Sequence, residues 1–245
     1  MAKSPVAVQI SVIDKDEDIV QGFKCATTTF GHQIHDGIWT VANPGWDSPD
    51  GEAQCAARLV KRFKDITTDK NGNPNTIFLK ATVPSTGEPV GFAIWVQASV
   101  VPGCGEKPIE DLSAGQDLEQ LYPGNRDEQL YLADLDRSLH RQRFDVVKAK
   151  ATDATPAVFV LDLCCVRPGF QGQGIAKHLV LWGLEEAKKR GNLEAITEAS
   201  AMGRHVYSKL GFVQEGPEIT YQVDDKFKER ALPSNIFMRT RPTIE

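Results

Sequence analysis

The sequence predicts an α/β fold, in which a central mixed β-sheet carries helices on both faces. Residues 158–166 form an almost wholly apolar run, which is typical of a buried strand. Helical periodicity over 174–190 and a further strand at 193–199 follow it along the chain. Upstream, the turn PSTGE separates two apolar stretches, 76–83 and 89–98, and this pattern predicts a β-hairpin.

The N-terminal part of the chain predicts a succession of short elements. Residues 6–13 alternate well enough for a first strand, and a helix is expected to begin within 14–18 and to run toward Phe30. Gly, Pro, Asn and Trp residues over 31–51 favour a long loop. Helical spacing returns over 52–67, where the apolar side chains fall on one face.

The stretch 99–155 interrupts this pattern of elements. Nine carboxylates lie between Glu106 and Asp136 against two basic residues, and apolar spacing in the second half of the stretch indicates a helix of several turns. We interpret the stretch as an insertion within a single domain spanning 1–245. It is either a solvated helical segment or a lid or partner surface.

Composition and charge argue against several classes of protein. With 245 residues, 41% of them hydrophobic and 25% charged, the chain is long enough for one large or two small domains. The net charge of −5 argues against nucleic acid as a partner, since phosphate binding usually requires a basic surface. The first ten residues lack the apolar core of a signal peptide, and no apolar run approaches the ~20 residues that span a bilayer. Five cysteines without a CxxC pair fit a reducing compartment, so we expect the cytoplasm, with the nucleus left open.

The turn RPGFQGQGIA, residues 167–176, joins the buried strand to its helix and carries the main chemical signal. The first amides of a helix have no partner within the helix and lie at the positive end of its dipole, so this position suits an anion. Gly172 and Gly174 lack Cβ atoms and let a phosphate approach the backbone. Lys177 replaces the third glycine of a dinucleotide fingerprint, and the GK[ST] of a P-loop is absent. On the glycines alone, a tight turn without a ligand is the alternative.

Two motifs resemble those of the GNAT acetyltransferase superfamily. The segment QGQGIA (171–176) is similar to its (Q/R)xxGx(G/A) signature, and the preceding strand ends in VRP (166–168), as in many members. Further along, ASAMGRHVYSKLGF (199–212) resembles the second signature, a short helix that carries a tyrosine before a KLGF-type end. The resemblance covers 158–213. It implies a mostly antiparallel sheet in which the two strands that flank the long helix are parallel and splay apart.

The resemblance further implies that this part of the chain binds acetyl-CoA as a cosubstrate, without a metal. The pyrophosphate is expected on the turn amides and the pantetheine arm between the splayed strands. The residues implied to bind it are Cys164, Cys165, Val166, Gln171, Gly172, Gln173, Gly174, Ile175, Ala176, Ser200 and Tyr207. Ser200 stands where many members carry an asparagine, so the sequence departs from the family pattern there.

Acetyl transfer to an amine needs a proton donor and a proton acceptor. By resemblance, Tyr207 is the general acid that protonates the departing thiolate; its alternative role is to pack a short helix against the sheet. Asp162 is the candidate base, and it is expected on the same face of the strand as Val160 and Cys164. A carboxylate in an apolar strand costs free energy unless it is paired or takes part in the reaction. A structural ion pair is the alternative for Asp162, and Glu198 or a water relay is a rival base.

The sequence therefore predicts an N-acetyltransferase that moves an acetyl group from acetyl-CoA to a primary amine by direct attack in a ternary complex. The amine, of a small molecule or of a protein, is left open, as is the oligomeric state. Neither nucleic acid nor a membrane is expected as a partner. A non-catalytic acyl-CoA sensor is the alternative, because it needs the turn amides but neither Asp162 nor Tyr207. A dinucleotide-binding oxidoreductase ranks third because of Lys177.

Overall fold

The computed structural model of the chain describes residues 6–112 and 118–240. Its strands are β1 Gln9–Val12, β2 Thr76–Val83, β3 Glu88–Ala98, β4 Val158–Val166, β5 Glu194–Ser200, β6 Phe212–Glu218 and β7 Asn235–Thr240. They form one seven-stranded sheet in the order β1-β2-β3-β4-β5-β7-β6. Only the β4–β5 pair in this sheet is parallel. The predicted mixed, mostly antiparallel sheet is confirmed.

The helices cover both faces of the sheet. They are α1 Asp16–Ala26, α2 Gly37–Ala42, α3 Pro49–Lys64, α4 Leu118–Leu121, α5 Arg126–Ala149, α6 Ile175–Lys189 and α7 Arg204–Ser208. Helices α1 and α3 pack on one face, over buried Phe78 and Phe92, whereas α6 packs on the other, over Trp95 and Phe159. Within the two described ranges, no helix is both long enough and apolar enough to cross a membrane.

The predicted loop over 31–51 contains more regular structure than its composition suggested. A π-helix, Thr27–Gln33, continues α1, and α2 follows after a short turn. Helix α2 begins there because the Asp36 carboxylate accepts hydrogen bonds from the Ile38 and Trp39 amides at 3.1 and 2.8 Å. The loop prediction was therefore wrong in part, since this cap overrides the local glycine, proline and asparagine content.

A β-bulge in β4 changes which side chains share a face. Leu161 and Leu163 pair with consecutive residues of β3, so the ladder skips Asp162. As a result, Val160 packs with the α1–α3 side and Cys164 packs with the α6 side. Strict alternation had placed Val160 and Cys164 on one face, and that expectation was wrong because it allowed for no extra residue.

Helix α5 is the longest element in the described part of the predicted insertion; residues 113–117 of that stretch lie outside the described residues. Asn125 caps the helix by accepting a hydrogen bond from the Glu128 amide at 3.3 Å. Leu132 and Leu135 are buried, and Leu135 packs with Tyr221 in a cluster that also takes in α2 side chains. One face of α5 is thus attached to the body of the protein. The assignment of 1–245 to one domain stays a prediction.

Gly183 sets how closely α6 approaches the sheet. A Cβ atom there would lie 2.0 Å from a Trp95 ring atom. Overpacking of this kind costs about 1–3 kcal/mol, which exceeds the roughly 1 kcal/mol that alanine gains over glycine within a helix. We therefore expect Gly183→Ala to lower the free energy of unfolding in a denaturant titration. Glu185→Ala, at an exposed site of the same helix, should change it by less than about 0.5 kcal/mol. Equal stability of Gly183→Ala and the parent would contradict this packing.

Candidate active site

The parallel strands β4 and β5 are paired over only part of their length. Residues 158–160 pair with 194–196, and the two strands then separate. At the point of separation the Thr197 hydroxyl donates to the Leu161 carbonyl at 2.9 Å. Strand β7 stays paired with β5 along 196–200, so the gap opens on the β4 side of β5. A cavity of about 450 Å³ lies at this opening.

The cavity collects most of the residues that the sequence predicted for the cofactor. Those that line it are Cys164, Cys165, Val166, Gln171, Gly172, Gly174, Ile175, Ala176, Ser200 and Tyr207. Gln173 and Asp162 do not. Gln173 instead accepts a hydrogen bond from the Val6 amide at 3.1 Å. The cofactor role of each residue stays a prediction, but all except Gln173 lie where a ligand of the cavity would touch them.

Backbone geometry makes the turn between β4 and α6 an anion site. Gly172 and Gly174 have φ values of 77° and 83°, in the left-handed region that favours glycine. A Cβ atom on either would meet no atom within 4 Å, so open space lies above both. The amides of residues 172–177 have no hydrogen-bond acceptor in the described part of the chain. This arrangement fits a pyrophosphate group, whose oxygens would accept from those amides.

The glutamine at the start of the turn links it to the π-helix. The Gln171 and Gln33 amides exchange two hydrogen bonds, at 3.0 and 2.8 Å. Gln171 Nε2 also donates to the Val166 carbonyl at 2.8 Å, which accepts from the Thr29 hydroxyl at 3.2 Å as well. The π-helix therefore forms one wall of the cavity through Thr29 and Phe30.

Sequence reasoning missed several residues of the cavity. Nothing in the composition of 27–33 distinguishes a π-helix from an α-helix, so the wall that it supplies had no local signal. Lys177 and Lys209 bring positive charge to the cavity; Lys177 directly follows the first motif, and Lys209 lies within the second. The sequence therefore contained an indication of both lysines, because each is a basic residue at a recognised motif.

Tyr207 lies in the cavity wall, which Cys164 also lines. Gly203 makes room for the ring, because a Cβ atom there would lie 2.6 Å from a ring carbon. Burial is the largest cause that raises the pKa of Tyr207 well above its ordinary value, and the neighbouring Cys164 raises it further. Burial likewise raises the pKa of Cys164 to about 12. The phenol therefore keeps its proton at neutral pH, as a general acid must.

Two further predicted residues have partners within the protein. The Ser200 hydroxyl accepts a hydrogen bond from the Gly203 amide at 3.3 Å, in the turn that leads into α7. The Cys165 sulfur lies 3.6 Å from the Cys25 sulfur in the interior, on the α1–α3 side. Cys164 and Cys165 thus point to opposite faces, as expected for neighbours on a strand.

Asp162 and Glu198 are joined by one arginine of the inserted helix. Arg143 donates to Asp162 at 2.9 Å and makes two bonds to Glu198, one of them at 3.1 Å. Arg62 donates to the second Asp162 oxygen at 3.0 Å. Burial alone would raise the pKa of Asp162, but the Arg62 and Arg143 guanidiniums outweigh it and hold that pKa well below its usual range. These contacts favour the structural ion pair for Asp162, and its role as base stays a prediction.

Residues 146–222 match a protein family described as an acetyltransferase (GNAT) domain. This part of the chain is similar to GNAT acetyltransferases. The predicted resemblance is confirmed, and the GNAT fold accounts for the splayed strands and for the turn that precedes α6. No curated protein sequence matched the chain.

Solved structures of similar fold extend over almost the whole chain. Arylalkylamine N-acetyltransferase 2 from Aedes aegypti has 18% identity and a TM-score of 0.59, and covers 95% of this chain and 98% of its own. The mosquito arylalkylamine N-acetyltransferase like 5b has 13% identity and a TM-score of 0.57; the match covers 96% of this chain and 99% of the mosquito chain. A Corynebacterium glutamicum structure described as histone acetyltransferase HPA2 and related acetyltransferase has 15% identity and a TM-score of 0.55, with 98% of both chains covered. At these identities the likeness shows the GNAT fold alone.

The ion pairs of Asp162 predict a pH-dependent contribution to stability. We expect Asp162→Asn to lower the free energy of unfolding by about 3 kcal/mol at neutral pH, because it leaves the largely shielded Arg143 with one carboxylate instead of two. The folded pKa lies below that of an unfolded aspartate, so the stabilisation is present above about pH 4 and is lost as the pH falls further. Urea unfolding of parent and variant, at neutral pH and in acid, measures both effects.

The matched control for this measurement is Asp134→Asn, which removes a more exposed ion pair with Arg137. It should cost no more than ~0.5 kcal/mol. The two arginines do not stabilise the carboxylate if both variants lose the same free energy of unfolding. The same conclusion follows if the loss for Asp162→Asn is as large in acid as at neutral pH.

Proposed function

We propose that this protein transfers an acetyl group from acetyl-CoA to a primary amine by direct attack in a ternary complex. One observation carries the proposal: a single cavity at the splayed strands joins the free amides of the turn to the protonated Tyr207 hydroxyl. A phosphate site and a proton donor in one cavity are what a phosphate-bearing thioester requires.

Each part of the cavity has a distinct task in this reaction. The amides of residues 172–177 hold the pyrophosphate, and Lys177 and Lys209 add positive charge to the cavity. Acetyl-CoA supplies an activated acyl group on a thiol leaving group. Tyr207 keeps a proton where negative charge develops on the departing sulfur. Residues of β4, α6 and α7 form the cavity wall around the reacting atoms.

The acceptor amine enters the proposal as a class. Two of the similar structures are described as arylalkylamine N-acetyltransferases, so arylalkylamines are the first acceptors to test. Phe30 lines the cavity and packs 6.2 Å, between ring centroids, from Trp39. An aromatic wall of this kind suits an aryl group, and small polyamines, amino acids and protein lysines belong in the same panel.

A non-catalytic acyl-CoA sensor is the second candidate function. Asp162 and Glu198, the two carboxylates considered as base, are both bonded to Arg143. A paired carboxylate is a poor proton acceptor, and this observation favours a protein that binds the cofactor without turnover. The two functions differ in whether coenzyme A thiol is released in the presence of an amine.

Cofactor binding on the turn is tested by thermal and chemical stability. At 100 times its dissociation constant, acetyl-CoA should raise the free energy of unfolding by about 2.7 kcal/mol. Gly174→Asp should abolish the effect, because it places a carboxylate where the phosphates bind. Gly87→Asp is a matched control, since Gly87 has a φ of 70°, also faces open space, and lies in the β2–β3 hairpin. If Gly174→Asp binds coenzyme A with parental affinity, the turn is not the phosphate-binding site.

Removal of the Tyr207 hydroxyl distinguishes the enzymatic function from the sensor function. Tyr207→Phe keeps the ring against Gly203 and removes the proton donor. We expect near-parental stability and acetyl-CoA affinity, with turnover reduced on the order of 10²-fold, the low end for general acid catalysis. Free-thiol release across an amine panel measures it, and Tyr131→Phe, at a buried ring in the α5 cluster, should leave it unchanged. If the parent binds acetyl-CoA but acetylates no amine in the panel, the sensor function replaces the enzyme.

A further inference from the structure

The arginine contacts leave the proposed reaction without a free carboxylate base. Arg143 binds both Asp162 and Glu198, and Arg62 binds the second oxygen of Asp162. An acceptor ammonium must lose a proton before its nitrogen can attack, so another group has to take that proton. The helix that carries Arg143 also carries a histidine, His140.

Three polar side chains follow one another on the same stripe of α5. Asp136, His140 and Arg143 are spaced four and three residues apart, so they share one face of the helix. Arg143 fixes the direction of this face, because its guanidinium reaches β4 and β5 beyond the point where they separate. The His140 ring lies close enough to Asp162 to interact with it electrostatically. His140 therefore lies on the side of the sheet that Arg143 reaches, one turn from Arg143 and outside the lining of the 450 Å³ cavity.

His140 has the surroundings of an oriented base. Its Nδ1 lies 3.0 Å from Asp136 Oδ1, and both side chains are about one-fifth exposed. The ring packs edge-on against Phe144, with 6.3 Å between centroids. Nε2 has no polar partner among residues 6–112 and 118–240. A carboxylate beside Nδ1 favours the proton on that nitrogen and leaves Nε2 free to accept one.

We propose that His140 is the base of the acetyl transfer and that Asp136 is its positioning residue. This inference rests on the proposed function. Nε2 takes one proton from the acceptor ammonium, and the amine nitrogen then forms a bond to the thioester carbonyl carbon. The C–S bond breaks as the sulfur takes the Tyr207 proton. The nitrogen loses its remaining excess proton, which restores Tyr207, and the proton on His140 leaves through its exposed edge.

Charged groups on several elements surround this part of α5. Arg62 from α3 and Arg143 from α5 pair with Asp162 from β4 and Glu198 from β5. Asp36, which caps α2, Tyr221, and Glu215 of β6, whose carbonyl accepts from Gln142, also lie on elements next to α5. Asp136 is the carboxylate that lies 3.0 Å from the imidazole.

The test compares two acceptors that differ in whether they carry a proton to remove. In the full chain, His140→Gln should lower kcat/KM for an alkylamine roughly 10²-fold near neutral pH. A hydrazide, whose amino group is already neutral, should react at nearly the parental rate. The alkylamine rate of the variant should rise toward the parental rate at high pH, and added imidazole should partly restore it. His140→Asn serves as a second replacement, and retained stabilisation by acetyl-CoA shows that either variant is folded.

Matched controls lie on the same helix. Arg141→Gln, at an exposed site next to His140, should leave both acceptors unaffected. Asp136→Asn should lower kcat for the alkylamine while KM and acetyl-CoA affinity stay parental, whereas Asp134→Asn should change none of them. Equal losses with alkylamine and hydrazide, or parental activity in His140→Gln, would overturn the role of His140 and leave the proposed function standing. Absence of turnover in the parent would overturn the proposed function itself.

Discussion

The early separation of β4 and β5 is the constraint on which the rest of the structure depends. Backbone groups that leave a ladder need other partners, and here protein groups supply some of them. The Leu161 carbonyl accepts from Thr197, and the Val166 carbonyl accepts from Gln171 and Thr29. Between these two carbonyls the β5-facing edge of β4 has no strand beside it. The cavity, the turn and α7 are all arranged around that open edge.

Arg143 closes the opposite side of the separation. Its guanidinium binds a carboxylate on each strand, so a helix from outside the sheet sets the spacing between β4 and β5. Such an arrangement is costly to form, because three charges lose most of their contact with water. It stabilises the fold only when its hydrogen bonds are made. Arg62 provides the remaining bond to Asp162. The inserted stretch thus has a structural task at the site as well as a place in the proposed chemistry.

The sequence predicted the parts of the fold and site that local patterns determine. Residues 158–166 were placed correctly because the run is apolar apart from Asp162, and the turn at 171–176 because its glycines and glutamine form a recognisable motif. The bulge at Asp162 was not predictable, since it exists only in the pairing of β4 with β3. The pairing of Arg143 with Glu198 joins residues far apart in the chain, and no local pattern marks either of them as a partner of the other.

Two sets of interactions near the cavity are both insensitive to dissolved ions, for different physical reasons. The amide pair of Gln33 and Gln171 joins the π-helix to the turn before α6 without any net charge. Dissolved ions screen exposed charges, but they have little effect on a neutral amide pair. The Arg143 bonds, outside the cavity lining, are charged but largely shielded from solvent, so screening is weak there too. The surroundings of the cavity are therefore insensitive to ionic strength, and any salt dependence of ligand affinity at the turn reports the contact between ligand and protein rather than loosening of the walls.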